Sequence, residues 1–218
     1  LTHNAAGDNT PIVFQLKSEE DAIIADEVIA SLEFAAGDSD GTDGATVAAG
    51  IHAIAEDTFS ATVNKTRLSF TTGVSETAAA SATAKMTLSS AGNLGIGTTS
   101  PAKKLSVNGP ALATISALSD GATITPDFDT SQNFSVTLGG NRTLANPNNI
   151  DAGQTGSIFV TQDGTGSRTL AFGNKWAFAG GTAPTLTTTA AAVDRIDYIV
   201  MSASIIQAVA SLDVKVPS

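Results

Sequence analysis

Apolar side chains recur at every second position through most of this chain. That period belongs to a strand with one dry and one wet face, and it leaves little room for long helices. In Val28-Ile29-Ala30-Ser31-Leu32-Glu33-Phe34 the apolar set is 28, 30, 32 and 34, with Ser31 and Glu33 between them on the face expected to be wet. Val47 to Ile54, Thr66 to Thr71, Lys85 to Leu88 and Lys103 to Val107 read as strands too, separated by Gly-, Asp- and Ser-rich turns such as Gly37-Asp38-Ser39-Asp40-Gly41. Two stretches leave a helical turn open. Ser18-Glu19-Glu20-Asp21-Ala22 offers a cap and acids suited to a helix N-terminus, against β-branched Ile23, Ile24 and Val28, and Thr77 to Ala84 is Ala-rich but interrupted by hydroxyl residues.

Asn108-Gly109-Pro110 is strong punctuation, and it sets the expected boundary between a first region, 1–110, and a second, 111–218. Alternation then resumes at Phe134/Val136/Leu138, Ile158/Val160, Leu170/Phe172, Ile196/Tyr198/Val200 and Ile206/Ala208/Ala210/Leu212, with tight-turn material at Gly139-Gly140-Asn141, Asp163-Gly164-Thr165-Gly166 and Gly180-Gly181. Short strands at such spacing predict a β-sandwich or jelly-roll-like domain. Composition bears on how a core is made. Small residues dominate, with 20 Gly but only nine Phe, one Tyr and one Trp in 218 residues, so one thick core of large side chains is hard to build and a core shared between chains is expected. An apolar content of 42% with 15% charged residues still argues for folding rather than disorder.

Charge and residue usage exclude several functions. Eleven basic against 21 acidic residues give a net charge of −10, which argues against duplex nucleic acid or an anionic membrane surface as partner. The absence of cysteine removes disulfide frameworks, thiolate metal sites and thiol nucleophiles. No apolar run approaches a membrane span, no basic-start signal peptide opens the chain, and the Leu1 start is expected to mark a piece of something longer.

The most specific feature is Lys85-Met86-Thr87-Leu88-Ser89-Ser90-Ala91-Gly92-Asn93-Leu94-Gly95-Ile96-Gly97-Thr98-Thr99-Ser100-Pro101, continuing through Lys103-Lys104-Leu105-Ser106-Val107-Asn108-Gly109. Gly92-Asn93 permits a turn with positive φ, Gly95 and Gly97 permit close backbone packing, and Ser100-Pro101 forces extended backbone before Leu105 and Val107. The segment resembles the GNVGIGTTSP-x-x-KL-x-V-x-G element of bacteriophage tail fibres and related virion fibres. Upstream strands such as Ile24 to Phe34 and Leu68 to Gly73 look like the β-repeats preceding that element, and Gly153-Gln154-Thr155-Gly156 with Gly166-Ser167-Arg168-Thr169-Leu170 looks like a C-terminal module of phage structural proteins.

The resemblance implies an all-β parallel homotrimer: a repeat-containing, β-prism-like stalk over 1–110, then the β-sandwich or jelly-roll-like module. Its expected place is the virion tail, its expected partners are its own copies, other tail or capsid proteins and a bacterial surface glycan or protein receptor, and no membrane insertion is implied. Gly92, Asn93, Gly95, Gly97 and Pro101 are the expected structural turn residues. A capsid head fibre or decoration protein, a polysaccharide-cleaving tailspike and a bacterial adhesin sharing the module are the alternatives.

Residues that could carry chemistry are few. Gly92 to Gly97 imitates a phosphate-cradling loop but lacks the Gly-Lys-Ser/Thr ending. Asp38-Ser39-Asp40-Gly41-Thr42-Asp43-Gly44 imitates a calcium loop, yet Thr42 and Ala49 occupy positions that need ligands, and a solvated turn is expected with no metal. His3 lies near the terminus, and His52, between Ile51 and Ala53, reads as a surface or interface residue. Asp127 with Asp129, or Asp194 with Asp197, are the carboxylate pairs a glycosidase would use, but neither is convincingly placed; no enzymatic activity and no cofactor are expected. For receptor binding the candidates are Trp176, Lys175, Tyr198 and Arg168. An exposed ring would face sugar C–H groups and a cation would meet an acidic glycan, while core packing for the rings and solvated turns for the charges stand against them.

Overall fold

The computed structural model describes residues 13–35, 46–73 and 77–216. The chain forms two compact units, Leu1–Ala111 and Leu112–Ser218. Both are built of strands, and the only helical element among the described residues is a short 3-10 turn at Ala179–Gly181. Ser18 to Ala22 and Thr77 to Ala84 are not helical.

The first unit is one six-stranded sheet in chain order: β1 (Val28–Ala35), β2 (Val47–Ala55), β3 (Thr66–Thr72), β4 (Met86–Leu88), β5 (Leu94–Ile96) and β6 (Leu105–Val107). Neighbours are antiparallel except β5 and β6, which run parallel. The parallel step follows from the Gly97 to Lys104 loop, which returns the chain to the start of β5 before β6 begins, as shown by the Leu94 N–H donating to the Lys104 carbonyl at 2.9 Å.

Register places like residues in rows across this sheet. Ser31, His52, Ser69, Thr87, Gly95 and Ser106 align on one face. On the other face Leu32, Ile51, Phe70, Met86, Ile96 and Val107 form one row, and Ala30, Ala53, Leu68, Leu88, Leu94 and Leu105 form the next. The small polar face is the buried one. Ala78 and Ala84 of the segment after β3 are buried with it, and that segment is tied down where the Ala78 N–H donates to the Val47 carbonyl at 2.7 Å. The expectation that Ser31 lies on the wet side is therefore corrected, because the covering segment docks on the face with room beneath it. His52 is corrected likewise: it is fully buried, not a surface residue.

The second unit winds between two sheets. Strands β7 (Ile115–Ala117), β9 (Asn133–Leu138) and β11 (Thr155–Gln162) lie side by side and parallel in one sheet, while β8 (Thr123–Ile124), β10 (Arg142–Leu144) and β12 (Leu170–Phe172) lie parallel in the other. The chain therefore makes three turns of a flattened coil. It then returns through β13 (Trp176–Ala177) and closes the larger sheet with the antiparallel pair β14 (Val193–Ser202) and β15 (Ile205–Ser211), giving the order β13-β15-β14-β11-β9-β7.

Two sheets do enclose one core, but the jelly-roll expectation is corrected, since a jelly roll is antiparallel and this coil is parallel through its first six strands. Alternation reports which side chains are buried and not the direction of the neighbouring strand. Inside, Phe134, Val136, Leu138, Leu144, Ile158, Val160, Ile196, Val200 and Ile206 are buried, each on an alternate position of its strand.

Candidate functional site

The glycine-rich element forms the β4–β5–β6 corner of the first sheet. Gly92 takes φ of 69°, and its N–H donates to the Ser89 carbonyl at 2.9 Å, closing a tight hairpin; the left-handed backbone costs glycine little. Asn93 Nδ2 donates to the Pro101 carbonyl at 3.0 Å, pinning the following loop, and Pro101 is buried. Gly95 has no room for a Cβ, which would strike the Thr98 carbonyl oxygen, and a Cβ on Gly97 (φ 69°) would lie 2.9 Å from the Asn108 carbonyl. These five residues make a compact corner with no cradle of free N–H groups for a phosphate.

His52 is the hub of the buried polar face. Its Nδ1 lies 2.9 Å from Ser31 Oγ and its Nε2 lies 2.9 Å from Thr71 Oγ1, while the Thr71 hydroxyl donates to the Ala78 carbonyl. Because Thr71 spends its proton on Ala78, its oxygen accepts from Nε2–H, which leaves Nδ1 to accept from Ser31. The ring thus joins three strands to the covering segment, with no path to a substrate. Serine, threonine and glycine at alternate positions were the available sequence signal for this hub, and it is weak because the same residues are ordinary on exposed faces.

The carboxylate pairs do not converge. Asp194 is buried and accepts the N–H groups of Thr187 and Asp213, each at 2.7 Å. Asp197, three residues on and therefore on the opposite face of β14, accepts from Ser157 Oγ at 2.6 Å and from Arg195 Nε at 3.0 Å. Asp127 accepts from the Asp129 N–H and from Asn149 Nδ2, which is turn chemistry. Among the described residues no three His, Asp or Glu side chains gather as a metal site would require. The Asp38 to Gly44 loop and His3 lie outside the described residues.

The structure puts the receptor candidates in two different settings. Trp176 and Tyr198 are core residues, 7% and 5% exposed, and their role as presented rings is corrected. Phe128 stacks on Tyr198 with ring centroids 4.5 Å apart and planes 5° apart, and Trp176 meets Tyr198 edge-on at 6.1 Å. Trp176 Nε1 donates to the Ala145 carbonyl at 3.0 Å, so its polar end is satisfied inside. Burial follows from register: 198 falls on the inner set of β14, and β13 carries Trp176 inward beside Ile206.

Arg168 is held at the β11–β12 connection by Asp163, which accepts from its Nε at 3.0 Å and its Nη2 at 2.7 Å. The guanidinium in turn holds the Asp163 carboxyl below the usual carboxylate range. Lys175 is half-buried, its N–H donating to Asn146 Oδ1 at 2.9 Å.

Residues 124–200 match the family model described as "Putative phage tail fibre C-terminal domain", a span that runs from β8 to within β14 and contains Phe128, Trp176 and Tyr198. Over this span the chain is similar to the C-terminal domain of phage tail fibres. The search of curated proteins found no match to the chain. The match gives the coil of the second unit its assignment, and the first unit lies outside it.

The fibre domain carries its own pH signature. Burial pushes the Tyr198 hydroxyl up to about 12, because the phenolate would sit in the core beside the Gln132 carbonyl that its proton now satisfies at 2.9 Å. The folded value lies above the unfolded one near 10, so the contribution is whole below about pH 10 and is lost as pH rises toward 12, on the order of 2 kcal/mol in all. As the single tyrosine of the chain, Tyr198 reports by phenolate absorbance alone. The expected result is a melting temperature that falls across that window with an absorbance step displaced to high pH. Tyr198→Phe should flatten the fall, and an absorbance step at the ordinary tyrosine value would refute the burial argument.

Proposed function

We propose that this chain is a phage tail fibre that attaches the virion to its host by binding a surface glycan or protein receptor as a homotrimer, facing outward from the virion, and that its work is adhesive and not enzymatic. The single observation that carries the reading is the tail-fibre domain over residues 124–200. A small-residue composition suited to a core shared between chains supports the trimer, and carboxylate pairs turned to opposite faces or tied into turns support a non-chemical role. Three identical weak sites on one rigid body raise effective concentration, so attachment needs no tight single contact.

The test is the solution mass of the purified chain together with its adsorption to host cells. A mass of three times 21.9 kDa and saturable binding that blocks virion adsorption are expected. Released oligosaccharide from host capsule or lipopolysaccharide would overturn the non-enzymatic reading, and absent cell binding would overturn the attachment reading.

A further inference from the structure

Asn108-Gly109 is the sole Asn-Gly pair in the chain. It follows β6 directly, close to where the first unit ends at Ala111, and both residues are exposed. No hydrogen bond among the described residues uses the Gly109 N–H, so that nitrogen is free to react. Gly109 carries no side chain to shield it, and nothing lies within 4 Å of its Cβ position. Elsewhere the nitrogen after an asparagine is already spent. The Leu94 N–H after Asn93 donates to the Lys104 carbonyl, the Arg142 N–H after Asn141 donates to the Thr169 carbonyl, each at 2.9 Å, and the Lys175 N–H after Asn174 donates to Asn146 Oδ1 at 2.9 Å. The Asn108 side chain itself is held by a single exposed contact, its Nδ2 donating to the Gly97 carbonyl at 3.2 Å, the long end of the hydrogen-bond range.

We propose that Asn108 is a self-modification site, at which the Gly109 backbone nitrogen displaces the side-chain amide of Asn108. The bond from the Gly109 nitrogen to Asn108 Cγ forms, the Cγ–Nδ2 bond breaks, and the Gly109 amide proton leaves with the Nδ2 group as ammonia, giving a cyclic imide. Water then opens the ring at either carbonyl carbon. Attack at Cγ breaks its new bond to the Gly109 nitrogen and leaves aspartate. Attack at the Asn108 main-chain carbonyl carbon breaks the original peptide link and leaves isoaspartate, with the main chain rerouted through Cβ and Cγ. Neither an oxidant nor a metal is needed, and glycine is the residue that least hinders the approach of its own nitrogen.

Either product reverses the contact with Gly97. The Nδ2 donor becomes part of a carboxylate, which only accepts, facing a carbonyl oxygen that also only accepts. The tie between the end of β6 and the glycine corner of β5 is lost, and the β5–β6 ladder it closes has only the pairs Leu94–Leu105, Gly95–Ser106 and Ile96–Val107 to hold it. A covalent change at one exposed amide thereby loosens the last strand of the first unit.

Incubation of the full-length protein at mildly alkaline pH, followed by peptide mapping with mass spectrometry, is expected to convert Asn108 to a mixture of aspartate and isoaspartate while Asn93, Asn141 and Asn174 stay intact. Hydroxylamine added to the folded protein attacks the cyclic imide and is expected to cut the chain into 1–108 and 109–218. Asn108→Gln, whose longer side chain closes a ring far more slowly, is expected to give neither result. In Asn108→Asp, tryptic cleavage of the folded protein after Lys103 or Lys104 is expected to quicken roughly fivefold, as the lost hydrogen bond lets the β5–β6 connection open. An Asn108 that stays intact in the folded chain while it is converted in the denatured chain would overturn the proposal, as would conversion of Asn93 at the same rate. Unchanged tryptic cleavage in Asn108→Asp would overturn the loosening of β6 and leave the modification standing.

Discussion

Replacing Gly156 by alanine is expected to destabilise the fibre domain by ~3 kcal/mol or more, lowering its melting temperature by roughly 12–20 °C for a unit of this size. Gly156 sits in β11 where a Cβ would overlap the Gln132 carbonyl oxygen and lie 2.7 Å from the Tyr198 hydroxyl. Neither obstacle is the free end of a flexible chain. Gln132 leads directly into β9, whose pairing with β11 begins at Asn133 opposite Ser157, and its carbonyl also accepts the Tyr198 proton. One methyl group must therefore push β9 away from β11 or expel a buried phenol from its only acceptor. Gly164→Ala is the matched control: nothing lies within 4 Å of its Cβ position, and a change within about 0.5 kcal/mol is expected there. Thermal melts of both variants check the pair, and equal stabilities would show that β9 and β11 are not packed as described.

The second large effect concerns Trp176. Trp176→Ala is expected to cost about 3–5 kcal/mol, because it empties the middle of the aromatic group formed with Phe128, Phe172 and Tyr198 and strips the Ala145 carbonyl of its donor. The loss is one of folding and not of recognition. Trp176→Phe keeps most of the packing and discards only the indole N–H, so it should cost less than half as much and leave host-cell binding unchanged at temperatures where the domain is folded. A Trp176→Phe variant with wild-type stability but weakened binding would return this ring to the receptor surface. Urea unfolding and cell adsorption, measured on the same preparations, separate the outcomes.

The two aromatic residues show why the site was harder to read than the fold. Alternation placed Tyr198 with Ile196 and Val200 on one side of a strand, and that side is the core. For Trp176 the sequence offered two roles for one ring, and the choice depends on β13 pairing with β15, some thirty residues away in the chain. Arg168 was legible as a turn charge, since Asp163 and the glycines between them mark the connection, but its two hydrogen bonds to Asp163 needed coordinates.

Residue order alone marks the longer strands and the glycine corners, while the short strands β7, β8 and β13 carry no alternation long enough to read. Period-two alternation selects which residues share a face, and positions such as Gly92 and Gly97, both at φ 69°, have few alternatives to glycine. Which face is dry, and which way neighbouring strands run, depends on contacts distant in the chain. In the first unit the segment carrying Ala78 covers the Ser31–His52–Thr87 face, and so turns the leucine rows outward. In the second, passage between two sheets makes β7, β9 and β11 parallel where alternation alone fitted an antiparallel jelly roll equally well. The physical reason is common to both: a period of two is symmetric between faces and blind to direction, so long-range packing must break the tie.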